Sequence, residues 1–228
     1  MLVHVPGLLD DGQLQHFRSR LAAADAPWVD GRATAGHQGI HVKQNLQIAE
    51  GSALAAELGG MVLTALERLP LFISAALPNR VYPPMFNRYE NGMHFGNHVD
   101  GSVRLLPGTG AKIRTDLSAT LFLASPDSYD GGELLIEDTY GAQSIKLAAG
   151  DMVLYPASSL HRVAPVTRGV RLACFFWVQS MVRDDGQRAL LFDLDNAIQR
   201  LTATGADESA RVHLTGCYHN LLRMWSDI

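Results

Sequence analysis

The chain has 228 residues, 47% of them hydrophobic, which is enough for one substantial core in a single β-rich domain. Its 19 basic and 23 acidic residues give a net charge of −4 with no long run of either sign, which argues against nucleic acid or an anionic membrane as a partner. The two cysteines, Cys174 and Cys217, form no disulfide framework, and no signal peptide or membrane span is legible, so a cytoplasmic protein is expected.

Asp10 or Asp11 is the expected cap of a first helix carrying apolar Leu14, Phe17 and Leu21. Residues 28–48, with Gly31, Gly36 and Gly39, read as short strands and a loop, and 31–45 is a candidate lid. Ser52 caps a second helix with Leu54, Leu58, Met61, Val62, Ala65 and Leu66 at helical spacing, and Pro70 is expected to end it. Residues 1–80 therefore read as helices and short strands packing on a barrel built by the later residues.

From Val81 the pattern changes to short strands, predicted at 84–90, 96–100, 115–124, 133–138, 143–147, 152–156, 162–166 and 171–178. Asn91-Gly92, Pro107-Gly108, Asp130-Gly131-Gly132, Ala149-Gly150-Asp151 and Arg168-Gly169 supply turns between them. The pattern predicts an α+β, mainly β fold, a double-stranded β-helix or jelly roll over 81–182. After Val182 the strands stop. Asp184-Asp185 begins a helix through Leu201, Gly205-Ala206 breaks it, and a second helix runs from Glu208 to Trp225. The apolar faces of this 183–228 extension either pack on the jelly roll or form a homo-oligomer interface.

His98-Val99-Asp100 is the first chemically suggestive feature. Side chains i and i+2 on a strand share a face, so His98 and Asp100 can grip one ion. Composition alone supplies about one such match, so the weight rests on its surroundings. His161 follows 61 positions after Asp100, delivered by a turn at Gly150-Asp151, a strand and a short loop. Two histidines and one carboxylate form the facial triad of non-heme Fe(II) oxygenases. Arg171 lies ten positions further, at the head of an apolar strand. A cation there needs an anion to offset its desolvation, and a guanidinium holds a carboxylate bidentately. A dicarboxylate cosubstrate with its other end on iron meets that need.

Together, His98-Val99-Asp100, Asp130-Gly131-Gly132-Glu133-Leu134, the stretch from Gly150-Asp151 through Tyr155-Pro156, and His161 through Arg171 resemble Fe(II)/2-oxoglutarate-dependent dioxygenases of the prolyl-4-hydroxylase-like type. The run from Asn87 to Asp100, with Trp28 to Arg32 and Val42 to Asn45, resembles the bacterial PKHD-type hydroxylases, and the likeness covers nearly the whole chain. The resemblance implies that His98, Asp100 and His161 bind Fe(2+) and that Arg171 binds the distal carboxylate of 2-oxoglutarate. It places Tyr89 in the cosubstrate pocket. Where some relatives carry a tyrosine that assists the arginine, this chain has Phe122, and Ser118 or Thr120 on the same face is an alternative hydroxyl donor. L-ascorbate as a support for ferrous iron, and hydroxylation by O2 of an unidentified small-molecule or peptidyl substrate with release of succinate and CO2, follow from the same resemblance. The alternative is a non-catalytic jelly-roll module that binds or senses a metal.

Overall fold

The computed structural model describes residues 1–34, 36, 39–138, 141–205 and 207–228. His37, Ala206 and part of the expected lid at 31–45 lie outside the described residues. The chain opens with β1 (Val3–Val5) and α1 (Asp11–Ala22). Asp10 caps α1 reciprocally: its carboxylate accepts from the Gln13 N–H at 2.8 Å, and the Gln13 side chain accepts from the Asp10 N–H at 2.9 Å. Next come β2 (Trp28–Asp30), β3 (Lys43–Gln44), β4 (Leu46–Ile48) and α2 (Ala53–Glu67), whose first turn is capped by Ser52. Pro70 does not terminate α2, which stops at Glu67. It starts α3 (Pro70–Ala76), because the first turn of a helix has no use for the N–H that proline lacks.

The strands β5 (Pro78–Val81), β6 (Met85–Tyr89) and β7 (His94–His98) lead into a hairpin of β8 (Val103–Leu105) and β9 (Lys112–Arg114). Then come β10 (Leu117–Phe122), β11 (Tyr129–Gly131), β12 (Leu134–Asp138) and β13 (Gly141–Ile145). Last among the strands are β14 (Met152–Pro156), β15 (Leu160–Val163), β16 (Val166–Gly169) and β17 (Arg171–Ser180). Helices α4 (Asp185–Ala203) and α5 (Glu208–Trp225) finish the chain. No single helix among the described residues is long and apolar enough to cross a membrane.

The larger sheet has the order β1-β14-β10-β17-β6-β4-β2, with β5 also paired to β17, and the smaller one runs β13-β12-β15-β7-β3. All pairings are antiparallel, as a jelly roll requires. The two sheets form an open sandwich, and no closed barrel forms among the described residues. The first 80 residues do more than cover it: β1 and β4 extend the larger sheet and β3 the smaller.

Period-two alternation separates two cores. On β10, Leu117, Ala119 and Leu121 face α1 and α2, joining Phe17, Leu58 and Val62. Phe122 faces inward and joins Tyr89, Ile136, Tyr155 and Val163 between the sheets. β17 divides the same way: Cys174, Phe176 and Val178 belong to the helix-side core, leaving Arg171, Ala173, Phe175 and Trp177 on the interior face. At the far end, Leu191 of α4 is buried with Leu77 and Val182, and Tyr218, Leu221 and Trp225 of α5 pack on them.

Candidate metal and cosubstrate site

His98 and His161 are 63 residues apart in sequence but are direct partners across the antiparallel β7–β15 pair. Asp100 does not share their strand, as the i, i+2 argument assumed. β7 ends at His98, the chain swings out through exposed Val99, and Asp100 returns from the following loop. Its Oδ1 lies 3.9 Å from His98 Nε2 and its Oδ2 3.8 Å from His161 Nε2. One donor atom from each residue falls within 4.8 Å of the others, a grouping able to hold a metal ion.

Each imidazole is fixed through its other nitrogen. His98 Nδ1 is 2.8 Å from the Gly96 carbonyl and His161 Nδ1 is 3.0 Å from the Ser159 carbonyl. A carbonyl can only accept, so Nδ1 carries the proton and Nε2 presents its lone pair to the centre. Phe95 stacks on His98 with ring centroids 3.5 Å apart, and Tyr155 meets His161 edge-on at 5.2 Å. Burial, then the neighbouring His161, hold His98 well below the usual histidine range, favouring the neutral form that metal ligation needs. The Ser118 hydroxyl donates to Asp100 Oδ2 at 2.5 Å. Two imidazole nitrogens and one carboxylate are a donor set that would suit ferrous iron.

Arg171 is 1% exposed, and no carboxylate among the described residues lies within ion-pair distance of it. None of its three guanidinium nitrogens makes a well-formed hydrogen bond among the described residues. The guanidinium lies 5.4 Å from the ring centres of both Tyr89 and Phe122, with the Tyr129 phenol beside it. Burial pushes Tyr89 up to about 12 against the opposing charge of Arg171, so its phenol keeps its proton. A cation sequestered in this way calls for an anionic ligand.

The two hydroxyls considered as helpers for Arg171 have other partners. Ser118 donates to Asp100, and Thr120 hydrogen-bonds Tyr155. The triad, Tyr89, Ser118, Thr120 and Arg171 all line one cavity of about 600 Å³, within the range of small-molecule sites. Sequence reasoning missed two cations in the same cavity, Lys43 and Arg104. Lys43, Asn45 and Gln47 are all buried although they alternate as a polar strand face does. That alternation was the available signal, and it reads by default as a solvated edge.

A family model for the 2OG-Fe(II) oxygenase superfamily matches residues 84–179, and one for the PKHD-type hydroxylase C-terminal domain matches 185–227. A PKHD-type hydroxylase of Paraburkholderia phymatum is 66% identical over 227 residues, covering 100% of both chains. Among solved structures, a Pseudomonas putida prolyl-4-hydroxylase superposes with a TM-score of 0.53 at 19% identity, covering 78% of this chain and 92% of its own. A Trichoplax adhaerens prolyl hydroxylase, solved with a hypoxia inducible factor peptide, gives 0.57 at 13% identity, covering 83% and 86%. At these identities the structures establish a shared fold.

Proposed function

The chain belongs to the PKHD-type hydroxylases of the 2OG-Fe(II) oxygenase superfamily, and from that premise we propose the roles of its individual residues. The protein is a 2-oxoglutarate-dependent hydroxylase that uses Fe(2+), 2-oxoglutarate and O2. His98, Asp100 and His161 hold the iron, and Arg171 holds the distal carboxylate of 2-oxoglutarate against the rings of Tyr89 and Phe122. The observation that carries this reading is the buried Arg171, without a carboxylate partner among the described residues, lining the same cavity as the triad. A plain metal-binding module has no use for such a cation.

Iron and 2-oxoglutarate supply the oxidising chemistry, which yields succinate and CO2 and places one oxygen atom in a substrate C–H bond. The protein's own work is placement. The carbonyls of Gly96 and Ser159 hold both imidazoles with Nε2 inward, Ser118 fixes the carboxylate, and the Phe95 and Tyr155 rings shield the ligands from water. Tyr89 borders the cosubstrate pocket, while Ser118 and Thr120 act through Asp100 and Tyr155.

Residues 81–182 form the catalytic core in this reading, 1–80 complete its sheets, and 183–228 cap one end or mediate homo-oligomer formation. Ascorbate sustains turnover by keeping iron ferrous, and the location is cytoplasmic, in keeping with two free cysteines. The test is release of succinate from 2-oxoglutarate by purified protein with Fe(II). It should be lost in His98→Ala and Asp100→Ala, and undiminished turnover in either variant would overturn the ligand assignment.

A further inference from the structure

The interior face of β17 carries Arg171, Ala173, Phe175 and Trp177 in succession, and the cavity has cations at both ends of this row. Arg171 stands at one end. At the other, Lys43 Nζ lies 5.9 Å from the Phe175 ring centre and 5.1 Å from that of Phe95. The Arg104 guanidinium lies 4.2 Å from the Trp177 ring centre. Phe175 is four positions along the strand from Arg171, roughly 13 Å along β17. One dicarboxylate cosubstrate reaching from Arg171 to the iron therefore leaves the Lys43 end uncovered.

Lys43 is 4% exposed, and among the described residues its ammonium donates one hydrogen bond, to the Thr34 hydroxyl at 3.2 Å. No carboxylate among the described residues is within ion-pair distance of it. Arg104 repels it, and three carboxylates offset it in part: Asp100 faces the two histidines, Glu50 lies 3.8 Å from Arg104 and partly in solvent, and Asp30 is ion-paired with Arg32. Iron with Asp100, and 2-oxoglutarate with Arg171, cancel one another in the assembled site. Lys43, Arg104 and Glu50 then leave one net positive charge beside the rings of Phe95, Phe175 and Trp177, and an unpaired buried cation in such surroundings is costly.

We infer that the substrate to be hydroxylated carries an anionic group, a carboxylate or a phosphate, that docks on Lys43 and Arg104, with its organic body between the Phe95 and Phe175 rings. This inference rests on the function proposed above and assigns the substrate class of that site.

The experiment uses full-length protein with Fe(II) and saturating 2-oxoglutarate under argon, where the chelated 2-oxo acid gives a visible absorption band. Three probes of one shape, benzoate, phenyl phosphate and neutral benzamide, are titrated calorimetrically. At least one anion should bind about tenfold or more tightly than benzamide, and the preferred anion tells carboxylate from phosphate. Lys43→Met should erase that preference, Lys43→Arg should restore most of it, and 2-oxoglutarate affinity should change far less. Equal or absent binding of all three probes in a protein that shows the band overturns the inference. So does a Lys43→Met variant that loses 2-oxoglutarate but keeps the anion preference, since Lys43 would then serve the cosubstrate. No band in the parent protein overturns the iron-site reading itself, and this inference with it.

Discussion

The hydroxyl of Ser118, on the larger sheet, donates a 2.5 Å hydrogen bond to Oδ2 of Asp100, which reaches the centre from a loop beyond the smaller sheet. The two histidines need no such help, because each is fixed by a carbonyl of its own strand or turn. Asp100 has left its strand, so Ser118 is what holds its carboxylate in place. Loss of a group that orients a metal ligand typically costs 10- to 100-fold in affinity, on the order of 1.4–3 kcal/mol. Ser118→Ala should therefore weaken binding of Mn(II), a redox-stable probe for iron, by about tenfold or more. Electron paramagnetic resonance titration measures this, and unchanged affinity would show that Asp100 is held by something else.

Arg171 is predicted to lower the stability of the ligand-free protein while providing the affinity for 2-oxoglutarate. Replacing a buried, unpaired charge with an apolar group of similar volume is often stabilising, by about 1–4 kcal/mol. Arg171→Met should raise the melting temperature of the ligand-free protein and abolish the further rise produced by 2-oxoglutarate. Loss of the paired charge should raise the 2-oxoglutarate KM roughly 30-fold or more, the lower end expected for a desolvated charge pair. A lower melting temperature with unchanged KM would assign Arg171 a purely structural role.

Gly132 leaves Arg171 the room to reach its place. Its φ is +69°, and a Cβ there would stand 3.0 Å from Arg171 Cδ, 3.0 Å from the Tyr129 ring and 2.8 Å from Val166 Cγ2. Gly132→Ala should cost about 1–2 kcal/mol from the backbone alone, plus a displaced guanidinium that weakens 2-oxoglutarate binding. Gly108, with φ of +74° and nothing within 4 Å of its added Cβ, isolates the backbone part. Urea unfolding together with 2-oxoglutarate titration of both alanine variants separates the two effects. Equal 2-oxoglutarate affinity in the two variants would refute the crowding argument.

Much of this arrangement is legible in the sequence because it depends on local rules. Asp10, Ser52 and Asp184 announce their helices by capping, and alternation places Ser118, Thr120 and Phe122 on one face. The order of His98, Asp100, His161 and Arg171 points to iron with an oxo-acid. Features decided by distant partners are not legible. The three-residue β1 and β8 exist because β14 and β9 pair with them, and a segment that short carries no periodic signal. The exit of the chain at Val99 depends on where β15 stops supporting β7. Lys43 sits in a polar stretch that looks solvated until β3 is seen to turn it into the cavity.

The charge on Lys43 also gives the proposed anion site a definite pH signature. Burial, then repulsion from Arg104, pull its ammonium down to about 8, against the weaker opposing pull of Asp100, Glu50 and Asp30. His98, which also feels its charge, is held on the acid side and is neutral throughout the range concerned. Below about pH 8 Lys43 is charged and an anion should bind at full strength. Above it each unit of pH should weaken benzoate or phenyl phosphate by about tenfold, until loss of the proton is as costly as loss of the contact. The stability of the ligand-free protein should move the opposite way. The folded-state pKa lies below the unfolded value of 10.5, so between about pH 8 and 10.5 the unfolded chain binds more protons and stability from this group rises with pH. Lys43→Met should flatten both profiles. Calorimetric titrations between pH 7 and 9.5 decide the matter, because anion affinity that ignores pH across that window would mean that Lys43 does not hold the anion.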